Sequence, residues 1–184
     1  MGDNGEIVIT GNDLPMTFTV KYLGSHPANG LWGIKHTRRP VDMLVGKAKS
    51  ALPGSILPIV EVEVSKDGFA FTELQGKKYK GETNKFTVEV ISYGVQDLVY
   101  TRVFSMIIVA DESLKSATPF MCHSFVCDSR DQARQITYAL AATFQDYGKK
   151  VREQNEAGNH VKRLAIDLRT PEELAEDIEE ETDA

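Results

Sequence analysis

The sequence predicts an α+β domain: about seven short antiparallel strands closed by one long C-terminal helix, with an extra helix after the first strand. Three observations predict it. Between Met16 and Cys127 short segments of apolar and polar alternation are separated by Gly, Pro, Asn and Asp turns. One stretch of helical period then follows, from Asp128 to about Asn155. The 184 residues, 41% hydrophobic and 26% charged, suit one ordinary domain with a single sizeable core and some excess.

In chain order, Met16, Phe18, Val20 and Tyr22 alternate with Thr17, Thr19 and Lys21, which reads as a strand ending at Leu23-Gly24-Ser25. The next segment predicts a helix with Thr37 ahead of it, Pro40 near its first turn, and Val41, Leu44, Val45 and Ala48 on one stripe; Pro53-Gly54 stops it. Val60, Val62 and Val64 alternate with Glu61 and Glu63, a strand with one face buried and one wet. Lys66-Asp67-Gly68 turns into Phe69-Ala70-Phe71-Thr72 as a hairpin. GKKYKGETN holds at most a short edge strand around Tyr79. Phe86, Val88 and Val90 alternate, but Ile91 follows at once and Tyr93 takes the other parity, a phase slip that predicts a bulge or a change of face. Val103–Val109 is apolar on both parities, as in a well-covered strand, and Phe120–Cys127 is the last strand.

The long helix carries Ile136, Leu140, Phe144, Tyr147 and Val151 on one stripe, with Ser129 and Gln132 placed for a capping box. Gly148 weakens the helix beyond Phe144 by about 1 kcal/mol. Past Asn159 the character changes. VKRLAIDL reads as extended, and TPEELAEDIEEETDA as a short acidic helix, exposed or loosely docked, with Thr170 as N-cap, Pro171 first and Glu173 completing a box. The organisation is thus a flexible N-terminus (1–14), a domain (15–157) and an acidic tail with that short helix (158–184).

The tail also explains the charge. From His160 onward nine acidic residues face three basic ones, which accounts for the whole net −6 and leaves eighteen of each sign in residues 1–159. A neutral body has no bias toward nucleic acid. No apolar run approaches the roughly 20 residues of a membrane span, and the N-terminal residues lack the pattern of a secretory signal. Cys122 and Cys127, at an odd offset on one strand, point to opposite faces and read as buried reduced thiols in a cytosolic compartment.

Chemistry is hard to find. His26, His36, His123 and His160 are scattered, and neither a phosphate loop nor a nucleophile elbow has the residues it needs. No metal-ligand spacing and no cofactor motif occur, and the expectation is a non-enzymatic protein. What remains is surface. Arg38, Arg39, Lys47 and Lys49 cluster around the first helix, where a phosphate or anionic headgroup would bind. Leu140 and Phe144 are either core or the wall of a groove in which an extended peptide adds as a strand. The acidic helix 170–181 is further expected to dock on the basic first-helix surface and compete with lipid.

FTVKYLGS, VSKDGFAF, VEVISYGVQD, RVFSMIIVA, CHSFVC and ITYALAATF, in that order across residues 16–152, together resemble phosphotyrosine-binding (PTB/PID) domains of the Numb, Disabled and Shc-like adaptor type. The resemblance implies a pleckstrin-homology-like (PH-like) barrel or sandwich capped by its C-terminal helix. It implies a partner too: peptides with an Asn-Pro-X-Tyr (NPxY) turn from cytoplasmic receptor tails, in signalling or endocytosis, phosphorylated or not. Such a peptide adds antiparallel to the fifth strand, which matches Ile91, Ser92, Tyr93, Gly94 and Val95. Phe144 matches the helix phenylalanine that contacts the turn, with Leu140 and Tyr147 beside it. Gly94 stands where many relatives carry a side chain, which would loosen the edge. Some members also bind phosphoinositides, for which Arg38, Arg39, Lys47 and Lys49 are the candidates. That implies a cytoplasmic location peripheral to the plasma membrane.

Overall fold

In the computed structural model, which describes residues 8–76, 78–109, 120–154 and 166–176, the valine alternation is realised directly. Val60, Val62 and Val64 are fully buried and Glu63 is exposed, forming β2 (Ile59–Ser65). The other strands are β1 (Met16–Pro27), β3 (Gly68–Gln75), β4 (Lys78–Thr87), β5 (Ile91–Gln96), β6 (Val103–Val109), β7 (Phe120–Val126) and the two-residue β8 (Ile166–Asp167). Two helices, α1 (Ile34–Lys49) and α2 (Arg130–Gln154), complete the chain, and residues 171–176 are helical as well. The strands form one sheet in the order β4-β3-β2-β1-β7-β6-β5-β8. Every neighbouring pair is antiparallel except β5 and β8.

The sheet cannot be flat. β3 and β6 are four strands apart in that order, about 19 Å at the usual interstrand spacing. Yet the rings of Phe69 on β3 and Phe104 on β6 have centroids 6.0 Å apart, and Phe69 meets Phe125 of β7 at 5.2 Å. The sheet therefore curls until its two halves share one core, and α2 lies across the opening against β2, β3, β5 and β6. Ile136, Leu140 and Phe144 of α2 enter that core, while Tyr147 is half-buried at its margin. The fold is the capped, curled α+β sheet that the sequence implies.

A second, smaller cluster forms behind β5 and β6. The first β5 pairs are Ile91 with Ile108 and Tyr93 with Ile107, so one residue is extra on β5. That bulge turns Tyr93 and Val95 away from α2 to join Ile34, Ile107, Cys122 and Leu174. A 3₁₀ turn at Val88–Val90, just before β5, breaks the strand where the alternation slips. Cys122 sits in this second cluster and Cys127 in the first; both thiols are free and buried.

Several local expectations are corrected. α1 begins a turn before the expected start: Gly33, at φ 111°, precedes Ile34, and Thr37 lies inside the helix with its hydroxyl donating to the Ile34 carbonyl at 3.0 Å. Pro40 consequently sits in the helix interior rather than in its first turn. β4 is ten residues long rather than a short piece around Tyr79, since an edge strand can pair through its backbone while its side chains stay wet. The α2 cap differs by one position: Ser129 Oγ accepts from the Gln132 N–H at 3.0 Å, but Gln132 Oε1 reaches back to the N–H of Asp128 at 2.7 Å. Gly148 does not end the helix.

Described residues on both sides of the body pack against it. Ile9 and Leu14 pack on the main core around a 3₁₀ turn at Gly11–Asp13. Of the two states expected for the acidic helix, its described part, 171–176, is docked: Leu174 is completely buried, while Glu172, Glu173 and Glu176 are exposed. Its described part meets β5 and α2 rather than the basic surface of α1: Glu172 pairs with Arg130 at 2.7 Å. The expectations for residues 1–7, for an extended 161–165 and for the helix beyond 176 lie outside the described residues.

Candidate functional site: the β5 edge

β5 pairs with β6 along one side, and α2 runs beside it, which leaves its other side as the place where a strand can add. Of the residues expected there, Ile91, Tyr93, Gly94 and Val95 are buried and Ser92 is half-buried. Ser92 Oγ donates to the Leu31 carbonyl at 2.7 Å, tying the edge to the loop before α1. Trp32 from that loop lays its ring edge-on to Tyr93 at 5.1 Å.

The chain fills this side itself. Gly94 pairs with Ile166 and Val95 with Asp167, in parallel register. Gly94 makes room for this. A Cβ built there would lie 3.0 Å from Ile166 Cδ1 and 3.4 Å from both Leu140 Cδ2 and Phe104 Cζ. The glycine thus admits an apolar side chain against α2, where a loosened edge was expected. Phe144 is 5% exposed, in the same cluster as Ile166, and the Tyr147 hydroxyl donates to Glu89 at 3.3 Å.

Polar groups lock the covering segment. The Tyr93 hydroxyl donates to Asp167 Oδ2 at 2.7 Å, and Arg169 donates to Asp167 through Nε at 2.9 Å and Nη2 at 2.7 Å. Burial alone would raise the Asp167 pKa, but the hydrogen bonds from Arg169 and Tyr93 outweigh it and hold the carboxyl below its ordinary value. Burial, and then the Asp167 charge, push the Tyr93 phenol well up. Arg134 of α2 donates to the carbonyls of Leu168 and of Arg169. Thr170 and Glu173 close their capping box, at 3.2 and 3.0 Å.

The basic candidates separate. Arg38 is engaged within the fold, donating to the fully buried Asp97 at 2.9 and 3.1 Å and pairing with Asp42 at 2.7 Å. Asp97 in turn accepts the N–H groups of Val99 and Tyr100. Arg39, Lys47 and Lys49 are exposed. Lys49 lines a cavity of about 550 Å³ with Lys21, Arg102 and Tyr100, and Lys47 lines an adjoining one of about 440 Å³; Arg39 borders neither. Sequence reasoning passed over Lys21, between Val20 and Tyr22, and Arg102, between Thr101 and Val103, because neither has a basic neighbour in the chain. It also passed over Asp97, Asp167 and Arg169. Among the described residues no group of three or more His, Cys, Asp or Glu side chains could hold a metal ion.

A solved structure shares this fold: the solution structure of the C-terminal phosphotyrosine interaction domain of APBB2 from mouse. It superimposes with a TM-score of 0.52 over 78% of this chain and 93% of that one, at 23% identity. The fold is that of a phosphotyrosine interaction domain. In sequence, the chain is similar to low density lipoprotein receptor adapter protein 1 of Mus musculus, 27% identical over 165 residues. That match takes in 85% of this chain and 49% of the mouse protein. The Homo sapiens protein is 28% identical over 149 residues, 78% of this chain and 42% of that one. The chain therefore spans about half the length of these relatives or less. No protein-family model matches it. Within the phosphotyrosine interaction fold, β5 and α2 are the elements where the resemblance places a peptide, and here they hold β8.

Proposed function

We propose that the chain is a non-enzymatic adaptor domain that binds NPxY-type peptides in the cytoplasmic tails of membrane receptors, at the inner face of the plasma membrane, in signalling or endocytosis. The observation that carries the reading is the β5 edge: it accepts a strand beside α2, and Gly94 opens a slot walled by Leu140 and Phe104. Main-chain pairing supplies affinity there, and the side-chain slot supplies selectivity. The relatives support it through their name, that of a receptor adapter. Titrating the labelled chain with one NPxY peptide, phosphorylated and unmodified, tests it. Amide shifts on residues 91–96 and around Phe144 are the expected result, and shifts elsewhere refute it.

A second reading rests on the cavity between α1 and β1, β6 and β7. Lys21, Lys49 and Arg102 surround an apolar floor of Val45, Leu57 and Val126, which suits a phosphoinositide headgroup with the start of its chains. Of the four cations first named, Lys49 fits it best and Arg38 least. Vesicles with and without phosphatidylinositol bisphosphate test it: binding that requires the lipid and falls in Lys49→Glu supports the reading, and equal binding to both vesicles removes it. No helix among the described residues is long and apolar enough to cross a membrane.

A further inference from the structure

Resting on the peptide-binding reading above, we infer that residues 166–176 are a cis ligand of the β5 edge, a competitor within the chain that a receptor-tail peptide must displace. The segment is fitted to its place. Ile166 occupies the space over Gly94 that any other residue would fill, against Leu140. Asp167 turns to the opposite face, where Tyr93 and Arg169 satisfy its carboxylate. Leu174, one helical turn into 171–176, closes the cluster of Tyr93, Val95 and Ile34. Arg134 holds the carbonyls between these two anchors. The segment thus buries residues on both faces of β5, as an added strand does.

Its ladder is nevertheless short. β8 makes two residue pairs, whereas every other neighbouring pair in the sheet is matched over five to seven. It also runs parallel to β5, the weaker arrangement per residue. An antiparallel peptide pairing along Ile91–Gln96 makes more main-chain bonds on the same side and needs the same slot beside α2. The two cannot occupy β5 together. The tail's advantage is that it belongs to the same chain, so its binding to the edge is intramolecular while a receptor-tail peptide must come from solution. An exchange follows in which a free peptide with the longer ladder replaces a tethered one with the shorter.

The test uses the whole 184-residue chain and two single variants that loosen the tail from different sides, Leu174→Ala and Asp167→Asn. Each is titrated with an NPxY peptide and with a synthetic peptide of residues 164–177, while hydrogen exchange is followed at Gly94 and Val95. Both variants are expected to bind the NPxY peptide more tightly than the parent, by up to about tenfold, the gain when a tail that fills the edge about nine-tenths of the time is fully released. The 164–177 peptide is expected to bind the variants at residues 91–96 and to compete with the NPxY peptide. Equal NPxY affinity in parent and variants overturns the inference and leaves the adaptor reading intact. Failure of the 164–177 peptide to bind either variant overturns it as well. If that peptide binds the variants and no NPxY peptide does, the cis ligand stands and the adaptor reading falls.

Discussion

Replacing Tyr93 with Phe removes one oxygen from the interior and leaves the ring in place. That oxygen donates to Asp167 Oδ2 at 2.7 Å, and both side chains are buried, with residue exposures of 0% and 5%. A hydrogen bond to a charged acceptor contributes about 1.5–3 kcal/mol. Asp167 keeps the two side-chain bonds from Arg169 and the Arg169 N–H at 3.2 Å, so the carboxylate is not orphaned and the lower part of that range applies, about 2 kcal/mol. The assay is urea unfolding at neutral pH of the parent, Tyr93→Phe, Asp167→Asn and the double variant. A coupling energy of about 1.5 kcal/mol or more is expected, since the two groups touch. Acid supplies an independent check. Because the Asp167 pKa is depressed in the folded chain, its contribution is fully present above the unfolded value of about 3.9 and is lost as pH falls through the folded value. The gap between parent and Tyr93→Phe should therefore be full at pH 7 and shrink in acid. Additive single effects, or a gap that widens on acidification, would refute the reasoning.

Arg38→Ala strips the buried Asp97 of its guanidinium, and thermal unfolding should show a loss of about 3 kcal/mol, the low end for a broken buried pair because Arg38 is partly exposed. Lys49→Ala should change stability by less than about 0.5 kcal/mol, which makes it the cleaner probe of lipid binding. His123, bonded to the Tyr22 hydroxyl at 2.9 Å, has its pKa pushed down by burial to about 4. Its neutral form favours the folded state, so up to about 3 kcal/mol of stability present above pH ~6.5 should drain away between there and pH ~4; His123→Gln should flatten that slope in pH-dependent urea midpoints. Burial pushes the thiols of Cys122 and Cys127 up to about 12, so iodoacetamide should label them only after denaturant unfolds the chain. Labelling of the native chain at the rate of a free thiol would contradict their placement.

The sheet was legible wherever burial alternates along the strand. Val60, Val62 and Val64 show their face in the sequence because one side meets the core and the other meets water, and the α2 stripe shows its face for the same reason. β4 was under-read because only Phe86 of its ten residues packs on the core: the rest of its pairing with β3 is made by backbone groups common to every residue type. Pro40 was misplaced because its sequence context suits a helix start, while the actual start rests on Gly33 and on Ile34 entering the second cluster. The candidate β5 residues rest on the phase slip and the family resemblance together. Their occupant was not. Leu174 is buried only because Tyr93, Val95 and Ile34, far apart along the chain, form its pocket, and a lone leucine in an acidic segment carries no sign of that. Arg38 had the same difficulty, since Asp97 lies 59 residues away.

An open sheet has two borders open to other molecules, β4 at one and β5 under the two-residue β8 at the other, and this one protects them by opposite means. β4 presents ten residues that are exposed or nearly so, among them Lys78, Lys80 and Lys85, and repulsion between like charges discourages another copy from extending the sheet there. β5 has no such guard, because its side chains belong to the interior. Among the described residues β8 pairs with it at Gly94 and Val95, and the loop before α1 meets it at Ser92 and Tyr93. Removing that cover without supplying a substitute would leave an apolar, hydrogen-bond-hungry border, a template for strand exchange between chains. Colloidal behaviour thus falls to the same eleven residues, 166–176, that occupy the border. Fragments ended before Ile166 should self-associate at concentrations where the whole chain stays monodisperse.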